Sequence, residues 1–288
     1  MSNTPKLLQK HDPDPVTLVE NTGHIIFSGP HNGCAIPSSL MPCLGTDQKW
    51  FCKAHEAVDL HMDKLFQALI DKLDDVTFLS GNYSRLISDL NAMPDYTITP
   101  HSTEYHDIKI PQNQPDQCCA KQHVRRLDEI YWPYHNEKTR LINQKRENHG
   151  GVIVLDLHSF TPTWVGKQRR VEFGTIRCEK TPLSRALEEF LKEQSDYLFI
   201  SGEPYRVADR PSNAAPLITK NNDIQYLGLE IRNDLIATDQ GIEDMVDFLQ
   251  RCLAYLKSHK NYSEIIRKRS DVMPNDIPFH TTNLSWSV

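Results

Sequence analysis

No stretch of this 288-residue chain approaches the ~20 consecutive apolar residues that a membrane-spanning helix needs, so no membrane partner is expected. Residues 1–16 carry His, Asp, Pro and Gln but no apolar core, and therefore do not read as a secretory signal. Basic charge is scarce as well. Lys and Arg number 32 against 38 Asp and Glu, a formal charge of −6, which favours solubility and argues against a nucleic-acid partner. The seven cysteines (Cys34, Cys43, Cys52, Cys118, Cys119, Cys178 and Cys252) contain no CxxC pair, so a cysteine zinc site is not indicated. Their odd number and irregular spacing, in a chain too large to need staples, predict reduced thiols and a cytoplasmic protein. Repeats, low-complexity tracts and linker-like segments are absent too. One domain over residues 1–288, with its core at about 20–260, is the expected organisation.

What is present is an alternation. Short apolar runs at 24–28, 76–80, 152–157, 197–201 and 226–231 have strand character, whereas 54–72, 124–148, 182–193 and 241–259 have helical character. In the first helical stretch Val58, Leu60, Leu65, Leu69 and Leu73 lie near helical spacing and give an apolar stripe. This pattern predicts an α/β fold of three layers, a mostly parallel central sheet with helices on both faces. The irregular, proline-bearing segment 94–119 is too long for an idle connection and reads as a lid or pocket wall.

In such sheets ligands gather at the carboxyl ends of the strands, and here those ends carry chemistry. The first leads into Gly29-Pro30-His31-Asn32-Gly33, the third into Asp156-Leu157-His158-Ser159, the fourth into Gly202-Glu203-Pro204-Tyr205, and the fifth into Glu230-Ile231-Arg232. His31 precedes an Asn-Gly turn signal and reads either as a metal ligand or as a locally bonded loop histidine. His158 ends a buried apolar strand. Alternation puts Asp156 on the same side, so Asp156 is expected to orient the His158 ring, as carboxylates do around zinc. Two histidines need a carboxylate and an open position to make a hydrolytic zinc site. Glu56, Asp59 and His61 are the candidates for the third ligand. Glu230, within an apolar strand, reads as a general base for a metal-bound water, or as the ion-pair partner of Arg232.

These blocks together resemble the N-formylglutamate amidohydrolases, a branch of the zinc exopeptidase-like α/β hydrolases. The matching segments are Pro30-His31-Asn32-Gly33, Asp59-Leu60-His61, Ser84-Arg85 through Asp89-Leu90-Asn91, Tyr134-His135, Leu155 to Phe160, Gly202 to Tyr205, and Leu229 to Ile236. The resemblance implies hydrolysis of an N-acyl amide on glutamate or a related acidic amino acid, with one Zn2+ as cofactor and a small N-acyl amino acid as partner. It implies His31 and His158 as metal ligands, Asp59 as the third, and Glu230 as the catalytic carboxylate. Arg85 and Asn91 fall in the block that grips the substrate carboxylate; the competing reading of Arg85 is a salt bridge to Asp89. Tyr205 stands at the pocket mouth. His135 is expected to anchor a carboxylate or an oxyanion, or else to be a core histidine. Departures from the family pattern occur at Ala92, Gly202 and 206–222, so the metal site reads as kept and the substrate pocket as altered. Arg206, Arg210 and Arg232 are candidates to restore the missing cation. Two rivals stand beside this reading: a carboxypeptidase-like or other N-acyl amino-acid hydrolase, and a non-catalytic small-molecule-binding protein on the same fold.

Overall fold

The computed structural model describes residues 6–40, 52–98, 113, 120–176, 181–194, 196–205 and 223–266. In chain order they form β1 (Val16–Val19), β2 (Ile25–Gly29), α1 (Met62–Ile70), β3 (Val76–Gly81), α2 (Ala120–Arg126), α3 (Trp132–His149), β4 (Val152–Phe160), β5 (Thr163–Trp164), β6 (Lys167–Gln168), β7 (Phe173–Ile176), α4 (Pro182–Gln194), β8 (Phe199–Ser201), β9 (Ile224–Arg232), α5 (Asp239–Ser258) and α6 (Tyr262–Ile265). Seven strands make one sheet in the order β1-β3-β2-β4-β9-β7-β8, and β5 and β6 form a separate hairpin. The central strands β3, β2, β4 and β9 run parallel. β1 pairs antiparallel with β3, and β7 antiparallel with β9. This is the expected mostly parallel α/β sheet.

The central strands read as unbroken apolar runs because both of their faces are covered. Ile25, Phe27, Ile153, Leu155, Leu157, Leu227 and Leu229 join Met62, Leu65, Leu187 and Leu249 from α1, α4 and α5 in one core. Their neighbours in sequence, Ile26, Val152, Val154, Ile224 and Tyr226, join Tyr134, Leu141 and Ile142 of α3 in the other. The period-2 alternation of a strand therefore sorts one run of side chains into two cores, which is the three-layer arrangement. Each well-buried Leu, Ile or Phe contributes roughly 1.5–3 kcal/mol, so the sheet is held from both sides.

Three boundaries differ from the sequence reading. The helix expected over 54–72 begins only at Met62, because His61 sits at φ 69, a left-handed conformation that breaks helical continuity. The helix expected over 124–148 is divided by a π-helical turn, Leu127–Tyr131. β4 continues to Phe160, so Asp156 and His158 lie inside the strand rather than at its end. Among the described residues no helix is long and apolar enough to cross a membrane.

Candidate metal centre

The site is assembled from segments that are pinned to one another by backbone bonds. β2 ends at Gly29, and His31 follows within two residues. The Asp59 amide donates to the His31 carbonyl at 2.9 Å, which ties the turn before α1 to the end of β2. Ser84 Oγ donates to the Ala57 carbonyl at 2.8 Å, and Ser159 Oγ to the Leu60 carbonyl at 2.9 Å. Gly33 lies so close to the Asn82 backbone that a Cβ would stand 2.1 Å from its carbonyl carbon; only glycine permits that approach. A disulfide joins Cys34 to Cys52 with a Cα–Cα distance of 5.3 Å. The expectation of reduced thiols thus fails for this pair. Irregular spacing along the chain does not register that both segments return to the same end of the sheet. Cys252 is buried and free, and the other four cysteines lie outside the described residues.

His31, Asp59 and His158 come together here, buried, with one potential ligand atom of each within 4.8 Å of the others. His158 Nδ1 is 2.9 Å from Asp59 Oδ2. His31 Nδ1 is 3.6 Å from the same oxygen, and the two imidazole centroids are 5.0 Å apart. The other ring nitrogen of His31, Nε2, is 2.8 Å from Asp89 Oδ1. Arg85 spans both carboxylates, with Nη1 3.3 Å from Asp59 and Nη2 3.3 Å from Asp89. Burial would raise the Asp59 carboxyl, but His31 and His158 hold it well below the usual range. Asp89 is likewise held down, burial being outweighed by His31 and Arg85. For His31 burial and Arg85 act downward, yet Asp89 and Asp59 prevail and raise it. Buried Asp59 and half-buried Asp89 thus face one guanidinium, an arrangement that a further positive charge, on the His31 ring or on a bound cation, would complement. With Nε2–H given to Asp89, His31 Nδ1 carries a lone pair. That buried atom makes no hydrogen bond and faces the Asp59 oxygen. Two lone pairs in that position repel unless a cation or proton lies between them, so the donor set fits a divalent ion.

The sequence profile of the N-formylglutamate amidohydrolase family matches residues 23–237, a span that includes every residue of this centre. The chain belongs to that family. The amidohydrolase superposes on the crystal structure of a gene product from Agrobacterium tumefaciens with a TM-score of 0.74, at 23% identity over 88% of this chain and 99% of that one. An N-formylglutamate amidohydrolase from Ralstonia eutropha JMP134 gives 0.60, at 19% identity over 85% and 97%. At these identities the superpositions speak to the fold alone. No curated protein matches significantly.

The remaining expected site residues of the amidohydrolase divide into two groups. Glu230 is buried on β9 and stands in register with His158 on the adjacent parallel strand, so both side chains point to the same face. Tyr205 is half-buried, and its phenol oxygen accepts from both Nη atoms of Arg169 at 3.3 Å. The second group is engaged elsewhere. Arg232 is held by Glu172 at 3.1 Å and Asp234 at 2.8 Å, so its guanidinium is engaged in ion pairs. His135 is buried against Tyr131, with centroids 4.1 Å apart, and its Nε2 bonds the Leu90 carbonyl at 3.0 Å. Burial and then Lys138 push it down to about 3, which makes it a neutral core histidine. Asp156 does not orient His158. It bonds Lys138 Nζ at 2.7 and 2.9 Å and the Tyr226 hydroxyl at 3.0 Å. Two strand residues span about 7 Å, and that step leaves Asp156 beneath α3, where Lys138 stands. Arg85 makes the salt bridge to Asp89 and a second to Asp59. Asn91 meets the centre through its backbone, whose N–H donates to Asp89 Oδ1 at 2.9 Å. Glu56 and His61 lie outside the three-residue cluster. Sequence reasoning missed Asp89 as the carboxylate on His31, although its i+4 spacing from Arg85 at a strand end was a usable signal. Segments 99–112 and 206–222, with Arg206 and Arg210, lie outside the described residues.

Proposed function

We propose that this chain is a metal-dependent amidohydrolase that cleaves the N-acyl amide of glutamate or a related acidic amino acid, with one zinc ion held by His31, Asp59 and His158. The carrying observation is the buried, unbonded Nδ1 of His31 facing the Asp59 oxygen that His158 also approaches. Two imidazoles and one carboxylate suit zinc. A zinc ion bound there would supply a Lewis acid for the amide carbonyl and a water of lowered pKa.

The protein's own groups have separate tasks in this reading. Asp89 fixes the tautomer and orientation of the His31 ring through Nε2. Arg85 restrains both carboxylates and offsets part of their charge. Glu230, beside His158 in register, accepts the proton of the attacking water and returns it to the leaving amine. The solved Ralstonia relative is an N-formylglutamate amidohydrolase, and that substrate heads the panel to be tested. Amine release should be followed for N-formyl-, N-acetyl- and N-succinyl-glutamate, with neutral N-acyl amino acids as controls. Glu230→Gln should lower kcat by roughly 10²–10⁴ while leaving metal content near that of the parent. Retained turnover in that variant would remove Glu230 from the role. No turnover of any N-acyl amino acid by the metal-loaded parent would favour a binding protein on this fold.

A further inference from the structure

Beside the β5–β6 hairpin the chain forms an open concavity of about 440 Å³ lined by Trp164, Arg169, Arg170, Glu203 and Tyr205. Arg169 is its best-held charge. The guanidinium carbon lies 4.6 Å from the Trp164 ring centroid, 5.2 Å from that of Tyr205 and 5.5 Å from that of Phe160. Its Nη atoms donate to the Thr161 carbonyl and the Tyr205 hydroxyl, all at 3.3 Å. Stacking on rings immobilises a guanidinium while keeping its charge, and the N–H donors that Tyr205 and Thr161 do not use lie in the plane where a carboxylate binds. Among the described residues no carboxylate pairs with it, in contrast to Arg85, Arg146 and Arg232.

The place of this cation matters. Phe160 lies two residues beyond His158 on β4, about 7 Å along the strand. Tyr205 is near enough to Arg85 for its charge to act on that guanidinium. The Arg169 guanidinium, packed against both rings, therefore stands on the side of the groove nearer the metal centre. Among the described residues, the cations and the histidine expected from sequence to grip the substrate have partners of their own: Arg85 has Asp59 and Asp89, Arg232 has Glu172 and Asp234, and His135 has Leu90.

We infer that Arg169, held by Trp164, Tyr205 and Phe160, is the anchor for a carboxylate of the amino-acid half of the substrate, and so determines the preference for acidic N-acyl amino acids. This deepens the hydrolase reading and rests on it for the kinetic assay alone. The kinetic test compares N-formyl-L-glutamate with N-formyl-L-glutamine and with N-formyl-L-glutamate α-amide, which remove one carboxylate each and show which one is held. The parent should prefer the dicarboxylate over one of these amides. Arg169→Gln should raise KM for N-formyl-L-glutamate by on the order of tenfold or more, with kcat changed less, and bring that preference close to unity. Arg169→Lys, which keeps the charge and loses the planar fork, should recover part of it. A variant that merely packs badly would lose both substrates in proportion and leave the ratio where it was, and an unchanged ratio in Arg169→Gln overturns the inference. Titration calorimetry of N-formyl-L-glutamate into Glu230→Gln, with and without Arg169→Gln, reads the subsite without turnover. Arg169-dependent binding there, in a parent that hydrolyses nothing, would sink the hydrolase reading and sustain the anchor. Binding that ignores Arg169 would sink the anchor.

Discussion

Asp89 takes the histidine-orienting part that spacing along the chain assigns to Asp156, while keeping its bridge to Arg85. Alternation put Asp156 and His158 on one side of β4, and they do share that side. The pattern could not show that Lys138 reaches down from α3 to claim the carboxylate. Asp89, at the end of the neighbouring loop, takes the histidine instead, and it takes His31 rather than His158. His158 and Glu230 were legible because a charged or basic side chain in an otherwise apolar strand needs a reason, and His31 because it follows a strand end at a turn signal. Asp89, Lys138 and Arg169 were not, since each has an ordinary surface reading until a partner from a distant segment appears. Asp89→Asn keeps the shape of the side chain and removes the charge behind His31. It should weaken metal binding roughly 10- to 100-fold, measured by competition against a chromogenic chelator; parent-like affinity would free Asp89 of that role. Lys138→Met leaves the Asp156 carboxylate buried beside the Tyr226 hydroxyl without its cation, and should cost roughly 3–5 kcal/mol in urea unfolding. A loss below 1 kcal/mol would mean that Asp156 is stabilised by other groups.

Among the elements, the long and fully buried strands and the short edge strand β8 were readable, whereas β1 and β7 were not. β4 and β9, each covered on both faces, announce themselves as apolar runs. β1 and β7 are four residues long, and antiparallel pairing at the flanks of a parallel sheet leaves little trace in so few positions. The start of α1 was misjudged for a related reason. The apolar spacing of 54–72 continues through a segment whose backbone is drawn off by the His31 carbonyl and by the left-handed His61, so tertiary bonding overrides local periodicity. Just before that segment, the Cys34–Cys52 disulfide links positions 18 residues apart, one beside the His31 turn and one on the approach to Asp59. Cys34→Ser should lower stability by about 3 kcal/mol on a chain-entropy basis. Denaturant unfolding of the oxidised parent and the variant checks this; equal midpoints would show that the crosslink does not constrain the unfolded chain.

At the scale of the whole molecule, acid should act through half-buried His24 and buried His135. Burial, then His149 and Lys257, push His24 down to about 4, and burial followed by Lys138 pushes His135 down to about 3. Both lie below the value near 6.5 of an unfolded chain, so between about 6.5 and 4 the unfolded state binds more protons. Stability is fully present above that window and is lost as pH falls through it. The melting temperature should decline from pH 7 to pH 4.5, and His24→Asn should flatten part of the decline; a flat profile in the parent would contradict the buried, neutral assignment. The fold itself, with strand ends from β2, β4 and β9 converging on one edge, follows from the parallel order at the centre of the sheet and brings together residues 127 positions apart, from His31 to His158. The most direct test of the account is the metal content of the purified protein, determined by plasma mass spectrometry for the parent and for His158→Ala. One zinc per chain, lost in the variant while its circular dichroism stays parent-like, is the predicted result. A folded parent that takes up no divalent ion, or a variant that binds it as tightly, would contradict the centre described here.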